Sequence, residues 1–199
     1  MKKILIATGN KGKLAEISKL LQDINISTFG IDDHDLKEPE ENGLTFEENS
    51  IIKAKYYGDH IGKIALADDS GLVIPAIDNQ PGIYSARWAP NKDFNIAFAT
   101  IREKLQEKNI YPEKEQVSAY FICNLSLYNP EDGQINSFEG RVDGILQFPP
   151  KGDKGFGYDP IFIKNGDNLT FAEINPEEKE KISHRAEAFK KLIKFLHKN

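Results

Sequence analysis

A chain of 199 residues, 39% hydrophobic and 29% charged, is long enough to bury one sizeable core and calls for no second domain. Its net charge of −5 argues against a broad nucleic-acid or membrane-binding surface, and no apolar run approaches the roughly 18 residues that a membrane span needs. No apolar leader with a small-residue cleavage site precedes the first strand pattern, and the single Cys123 has no internal disulfide partner, so the expected compartment is the cytoplasm.

In chain order, the apolar run Ile4 to Ala7 gives way to Thr8-Gly9-Asn10-Lys11-Gly12-Lys13, after which Leu14, Ile17, Leu20 and Leu21 recur at helical spacing. This reads as strand, tight loop and helix. A helix start of this kind presents unpaired N–H groups and the positive end of a dipole, and the lysines make it a candidate anion loop. Ile24 to Phe29 is a short strand, and Asp32 to Asn42 is an acidic loop too polar to pack. Thr45 and Glu48 have capping-box spacing, so a helix is expected from about Phe46 to near Gly58. Ile64 to Ala67 is a second short apolar strand ending in Asp68-Asp69-Ser70-Gly71, with another short strand over Leu72 to Ala76.

Asp93 caps a helix with its apolar face at Phe94, Ala97, Phe98, Ile101 and Leu105. Val117, Ala119, Phe121, Cys123, Leu125 and Leu127 alternate as in a half-buried strand, where Cys123 serves as a small buried hydrophobe. The Asp132-Gly133 turn then folds the chain back into an antiparallel hairpin over Ile135 to Glu139. The Gly/Pro-rich stretch Gly144 to Asp159 precedes a last helix from about Ser183, apolar at Ala186, Phe189, Leu192, Ile193 and Leu196. Helices interleaved with both kinds of strand predict an α/β domain with a mixed sheet.

Four features can carry chemistry. The opening loop fits neither a Walker loop nor a dinucleotide fingerprint: two residues separate Gly9 from Gly12, and Leu14 follows Lys13. Its bland alternative is a basic surface turn. Asp68 and Asp69 at a strand end suit a hard cation such as Mg²⁺, or else form a turn or cap. Glu40 and Glu41 can add a further carboxylate, or belong to a solvated acidic loop. Phe156 and Tyr158, in Gly155-Phe156-Gly157-Tyr158-Asp159, suit stacking on a flat ligand, with one ring expected to plug the loop into the core. Ser183 opens the last helix with His184 and Arg185, and Lys179 lies just before it; these three cations gather at a helix start, where the dipole disfavours them, which points to an electron-rich ligand. Together these are the parts of a site for a magnesium-bound nucleotide.

The segments "ATGNKGKLAEI", "EENGLTFEEN", "LADDSGL", "PGIYSARWA", "GFGYDPIF" and "EKEKISHRA" resemble, in that order and over nearly the whole chain, the inosine/xanthosine triphosphate pyrophosphatases, which clear deaminated purine nucleotides from the precursor pool. The resemblance implies a two-lobed α/β/α architecture around a long mixed twisted sheet, with the active cleft between the lobes. It further implies a single catalytic domain over residues 1–199, a Mg²⁺ requirement and a homodimer. By motif position, Thr8, Gly9, Asn10, Lys11, Gly12 and Lys13 would hold the triphosphate, with Asn10 and Lys13 as main contacts and Lys53 as a further phosphate ligand. Asp69 matches the catalytic carboxylate, Glu40, Glu41 and Asp68 join it as metal-binding acids, and Ser70 sits at the substrate. Phe156, Gly157, Tyr158, Asp159, Lys179, His184 and Arg185 match the base-recognition positions.

The implied reaction is hydrolysis of ITP, dITP or XTP between the α- and β-phosphates to the monophosphate and pyrophosphate. Hypoxanthine and xanthine carry an oxygen at the purine 6-position, so donors from Lys179, Arg185 or loop backbone would accept them and reject adenine. The rival readings are a pyrophosphatase for pyrimidine or modified nucleotides, a nucleotide-binding module without turnover, and a phosphotransferase, which the failed Walker spacing disfavours.

Overall fold

The computed structural model describes residues 3–31 and 36–198; residues 32–35 of the expected acidic loop lie outside the described residues. In chain order the elements are β1 (Lys3–Ile6), α1 (Lys11–Gln22), β2 (Ser27–Phe29), α2 (Phe46–Ile61), β3 (Ala65–Ile74), β4 (Gln80–Pro81), α3 (Phe94–Glu107), β5 (Ser118–Tyr128), β6 (Ile135–Leu146), β7 (Phe162–Lys164), α4 (Pro176–Ile182) and α5 (His184–Leu196). The chain packs as two compact units built from interleaved segments. The first is Met1–Asp69, Cys123–Gly140 and Ala188–Asn199; the second is Ser70–Ile122 and Arg141–Glu187.

In the first unit β1 pairs in parallel with β2, Lys3 opposite Ser27, and with β3, Leu5 opposite Ala65. Parallel pairing needs crossover connections, which α1 and α2 supply. Neighbouring residues of β1 point to opposite faces, and both faces are covered. Ile4 and Ile6 pack with Leu66, Cys123 and Leu125 against Ile17 and Leu21 of α1 and Phe189 and Leu192 of α5. Leu5 and Ala7 pack with Ala65 and Ala67 against Ala54 and Tyr57 of α2 and against Tyr128. Burial on both faces is why β1 and the start of β3 read as continuous apolar runs.

In the second unit β4 pairs antiparallel with β3 and β7 antiparallel with β6, Ile145 opposite Ile163. Its core gathers Leu72 and Ile74 of β3, Phe98 and Ile101 of α3, Phe121 of β5, Val142 of β6, Phe162 of β7 and Phe171. The Phe121 and Phe162 rings meet edge to face at 4.6 Å, an arrangement favoured by the ring quadrupoles. Parallel and antiparallel pairs together make the mixed α/β fold expected from the pattern. Among the described residues, no helix is long and apolar enough to cross a membrane.

Four local expectations are corrected. The helix started by Thr45, whose hydroxyl accepts from Glu48 N at 3.1 Å, does not stop near Gly58. It runs on to Ile61 and ends at Gly62, in the left-handed conformation at φ 66°. The two short strands around Asp68-Asp69-Ser70-Gly71 are one strand, β3. β6 continues past Glu139 to Leu146, and Lys179 lies in a helix of its own, α4.

Gly58 is a packing residue: a Cβ there would sit 2.6 Å from Tyr128 Cδ1, on the ring whose hydroxyl donates to Asp59 Oδ1 at 2.5 Å. Gly58→Ala should therefore destabilise the protein by about 1–3 kcal/mol through overpacking, although alanine is the better helix former by about 1 kcal/mol. A urea midpoint equal to or above that of the parent chain would show that Tyr128 yields freely.

Candidate active site

The site residues of the first unit come from α1 and the loop before it, from α2 and the loop before it, and from the first half of β3. Asn10 caps α1, its Oδ1 accepting from Gly12 N at 2.9 Å and Lys13 N at 3.2 Å, while its own N–H donates to Thr8 Oγ1 at 3.2 Å. This corrects the expectation of unpaired N–H groups at the helix start: two of them are satisfied by the cap. The cap also turns the Asn10 Nδ2 donor away from the helix, because a backbone N–H can meet only the carbonyl end of the amide. What the loop offers an anion is the dipole, that side-chain amide and its lysines. Gly9 lies so close to the Glu38 carboxylate that a Cβ would collide with Oε1. Lys11 is exposed on the first helical residue.

Lys13 Nζ lies 3.0 Å from Asp68 Oδ2, whose side chain is fully buried. Lys53 Nζ, from the second turn of α2, bridges Glu41 Oε1 at 3.0 Å and Asp69 Oδ1 at 3.1 Å. Both aspartates are thus carried into a buried strand by lysines from two different helices, which is why β3 need not break at them. Burial works against the Lys53 charge, but Asp69, Asp68 and Glu41 outweigh it and hold the ammonium protonated above its ordinary range. Burial pushes the Asp69 carboxyl up, Lys53 and Lys13 pull it partly back, and Glu41 adds to the rise. A carboxyl raised in this way is a stronger base than an exposed one.

Glu40 is exposed, whereas Glu41 is one of the two carboxylates on Lys53. Among the described residues, no three His, Cys, Asp or Glu side chains are grouped so as to hold a metal ion by themselves. Mg²⁺ is usually held by one or two carboxylates with water and substrate phosphate rather than by an all-protein cage. The hard oxygen donors of Asp69 and Glu41, which share Lys53 as a partner, fit that pattern.

The second unit gathers Ser70, Phe156 to Asp159, Lys179, His184 and Arg185. Gly155 and Gly157, at φ 72° and 69°, give the loop a left-handed turn at each side of Phe156, a conformation glycine adopts freely. The two rings part company. Tyr158 is buried, edge to face with Phe94 at 5.1 Å, and its hydroxyl donates to Ser85 O at 2.8 Å. Burial raises this phenol well above its ordinary pKa, so it stays a neutral donor. Phe156 keeps 36% of its surface exposed.

Asp159 Oδ2 accepts from Phe156 N at 2.8 Å and from Lys179 Nζ at 2.5 Å, and the Lys179 ammonium lies 4.7 Å from the Phe156 ring centroid. Lys179 and Asp159 together therefore set the pose of the exposed ring. His184 is buried and stacks on Phe121 at 4.7 Å and 12°. Arg185, also buried, donates from Nη2 to Ser70 Oγ at 3.3 Å.

Two residues that the sequence reading left without a role belong to these arrangements. Asn49 is buried and its Nδ2 donates to Asp69 Oδ2 at 3.4 Å. Ser85 accepts from Leu72 N at 3.0 Å and donates to Gly82 O at 2.6 Å. Both stand inside the quoted motifs, "EENGLTFEEN" and "PGIYSARWA", yet only folding shows what they touch.

A model of the Ham1 family matches residues 4–195. A protein of Zymomonas mobilis named dITP/XTP pyrophosphatase is 46% identical over 192 residues, spanning 96% of this chain and 90% of that protein. A Haemophilus influenzae protein of the same name is 43% identical, spanning 94% of each. Among solved structures, a HAM1 protein from Coxiella burnetii superposes with a TM-score of 0.89 at 37% identity, each chain covered in full.

Proposed function

This chain belongs to the Ham1 family, and from that premise we propose that it hydrolyses deaminated purine nucleoside triphosphates, ITP, dITP and XTP, to the monophosphate and pyrophosphate. The observation that carries the reading is the pair of buried aspartates, each held by its own lysine. A polyanion brought to Lys13 and Lys53 meets local positive charge on a chain whose net charge is −5, and it can take over from the carboxylates as their partner. The names of the Zymomonas and Haemophilus relatives support the substrate class.

In this reading the α1 start, with Asn10 and Lys13, binds the triphosphate, with Lys53 as a further phosphate ligand. Asp69 orients and deprotonates the attacking water, a role its raised carboxyl pKa suits. Asp69, Asp68 and Glu41, with Glu40 next to Glu41 in the chain, would hold a divalent cation, for which Mg²⁺ is the proposed ion. When bound, such an ion neutralises phosphate charge and acidifies water. In the second unit, exposed Phe156 offers a stacking face to the base, and Lys179, Arg185 and the loop backbone supply donors for the purine 6-oxygen.

We further propose that residues 1–199 work as one catalytic domain, as a homodimer, in the cytoplasm. The dimer rests on the resemblance, and the compartment on the buried free Cys123.

The test is pyrophosphate release from ITP, XTP, dITP, ATP, GTP and dTTP with Mg²⁺. Pyrophosphate from the deaminated purines alone is expected. Orthophosphate, or no turnover, would overturn the reading, and preference for dTTP would favour a pyrimidine substrate. Arg185→Ala should lower kcat/KM for ITP by about tenfold or more while changing that for ATP little, since a polar site discriminates through the donors it leaves unpaired. Equal losses on both nucleotides would assign Arg185 to support of Ser70 alone.

A further inference from the structure

We infer that Asn49 is the positioning residue for the Asp69 carboxylate, an inference that rests on the functional reading above. Asn49 is 1% exposed and lies one helical turn before Lys53, so α2 presents both side chains on one face. The two divide Asp69 between them: Lys53 Nζ takes Oδ1 at 3.1 Å and Asn49 Nδ2 takes Oδ2 at 3.4 Å. A carboxylate held at both oxygens has its plane fixed, whereas the lysine alone would let it rotate about the bonded oxygen.

The orientation of the amide is itself determined. Its Oδ1 accepts the Gly43 N–H at 2.9 Å, and a backbone N–H can only donate, so Nδ2 must face Asp69. Gly43 permits this approach because it lacks a side chain: a Cβ there would lie 2.7 Å from Asn49 Oδ1. The next residue of α2, Ser50, anchors the helix to β5. Its Oγ lies 3.0 Å from Asn124 Oδ1 and 2.7 Å from Ser126 Oγ, both on β5. Asn49 thus ties the segment that carries Glu41 to the strand that carries Asp69. At 3.4 Å its bond to Asp69 is long, so its effect is directional rather than a matter of fold stability.

Asn49→Leu separates positioning from binding. Leucine keeps nearly the same shape and adds no charge beside Asp69, but it can neither donate to that carboxylate nor accept from Gly43 N–H. With ITP and Mg²⁺, well below the thermal midpoint, a positioning role predicts that kcat falls by about tenfold or more, with KM within about threefold. Asn49→Ala, which also removes the volume of the side chain, should lose at least as much in kcat. Parent-like kcat in Asn49→Leu, or a loss in either variant confined to KM or to the thermal midpoint, would overturn the inference. If the unaltered chain turned over none of the deaminated nucleotides, the functional reading would fall and this role with it. An active parent with an unimpaired Asn49→Leu variant would sink only the role of Asn49.

Discussion

Asp69→Asn is expected to lower kcat on ITP by about 10³-fold while leaving nucleotide affinity within severalfold. General-base catalysis contributes about 10²–10⁴, and this carboxyl has its basicity raised by burial. Asparagine has the same shape, so the strand and α2 can stay where they are. Its amide oxygen can still accept from Lys53, but it cannot take a proton from water. Steady-state pyrophosphate release together with calorimetric titration of ITP separates the two quantities. A variant with kcat within tenfold of the parent would remove Asp69 from the chemistry. A parallel loss of affinity would make it chiefly a binding residue.

Lys53→Met should be the most damaging single change to the fold at this site. Lys53 is the common partner of Asp69 and Glu41 at 3.1 and 3.0 Å, and its side chain is 12% exposed. Without the ammonium two carboxylates face each other with one of them buried, and removing one partner of a buried pair costs about 3–5 kcal/mol. Glu41 is a third exposed and can turn to water, so about 3 kcal/mol is expected, or roughly 6–12 °C in thermal midpoint for a chain of this length. Methionine keeps the apolar stem, so the loss measures the charge. A midpoint within 2 °C of the parent would show that both acids find water, and that Lys53 serves the substrate rather than the fold.

The parts of the fold legible in the sequence are those governed by local chemistry. Thr45 and Asp93 cap their helices as their spacing predicts, and the alternation from Val117 to Leu127 is one strand because every second side chain enters a core. The misread parts depend on distant neighbours. Asp68, Asp69 and Gly71 look like a strand end, yet Lys13 and Lys53 neutralise the acids, and Gly71 is bare because a Cβ would lie 2.6 Å from Gly82 O. Gly144 within β6 has the same cause, since a Cβ there would lie 2.6 Å from the Phe162 ring. These glycines mark close approaches rather than turns.

The candidate site shows the same division. Lys53 came only with the resemblance, whereas Glu41, Asp68 and Asp69 were legible as carboxylates on a scaffold, and Phe156 as a ring on a glycine loop. Asn49 was not, because an asparagine in the first turn of a helix is ordinary until its side chain is seen between Gly43 and Asp69. Likewise, which of Phe156 and Tyr158 would enter the core was decided by Phe94 and Ser85, far away in the chain.

The two ends of the chain share one apolar cluster: Ile4 and Ile6 of β1 and Ile17 and Leu21 of α1 lie in it with Phe189 and Leu192 of α5. During synthesis β1 and α1 therefore emerge long before the residues that cover them, and the first unit closes only after α5 has left the ribosome. Closing so long a loop adds only modest entropy beyond that of a shorter one, but contacts this distant in sequence slow folding. A chain interrupted before α5 would leave that apolar face open, so synthesis through α5 is built into the acquisition of this unit's fold.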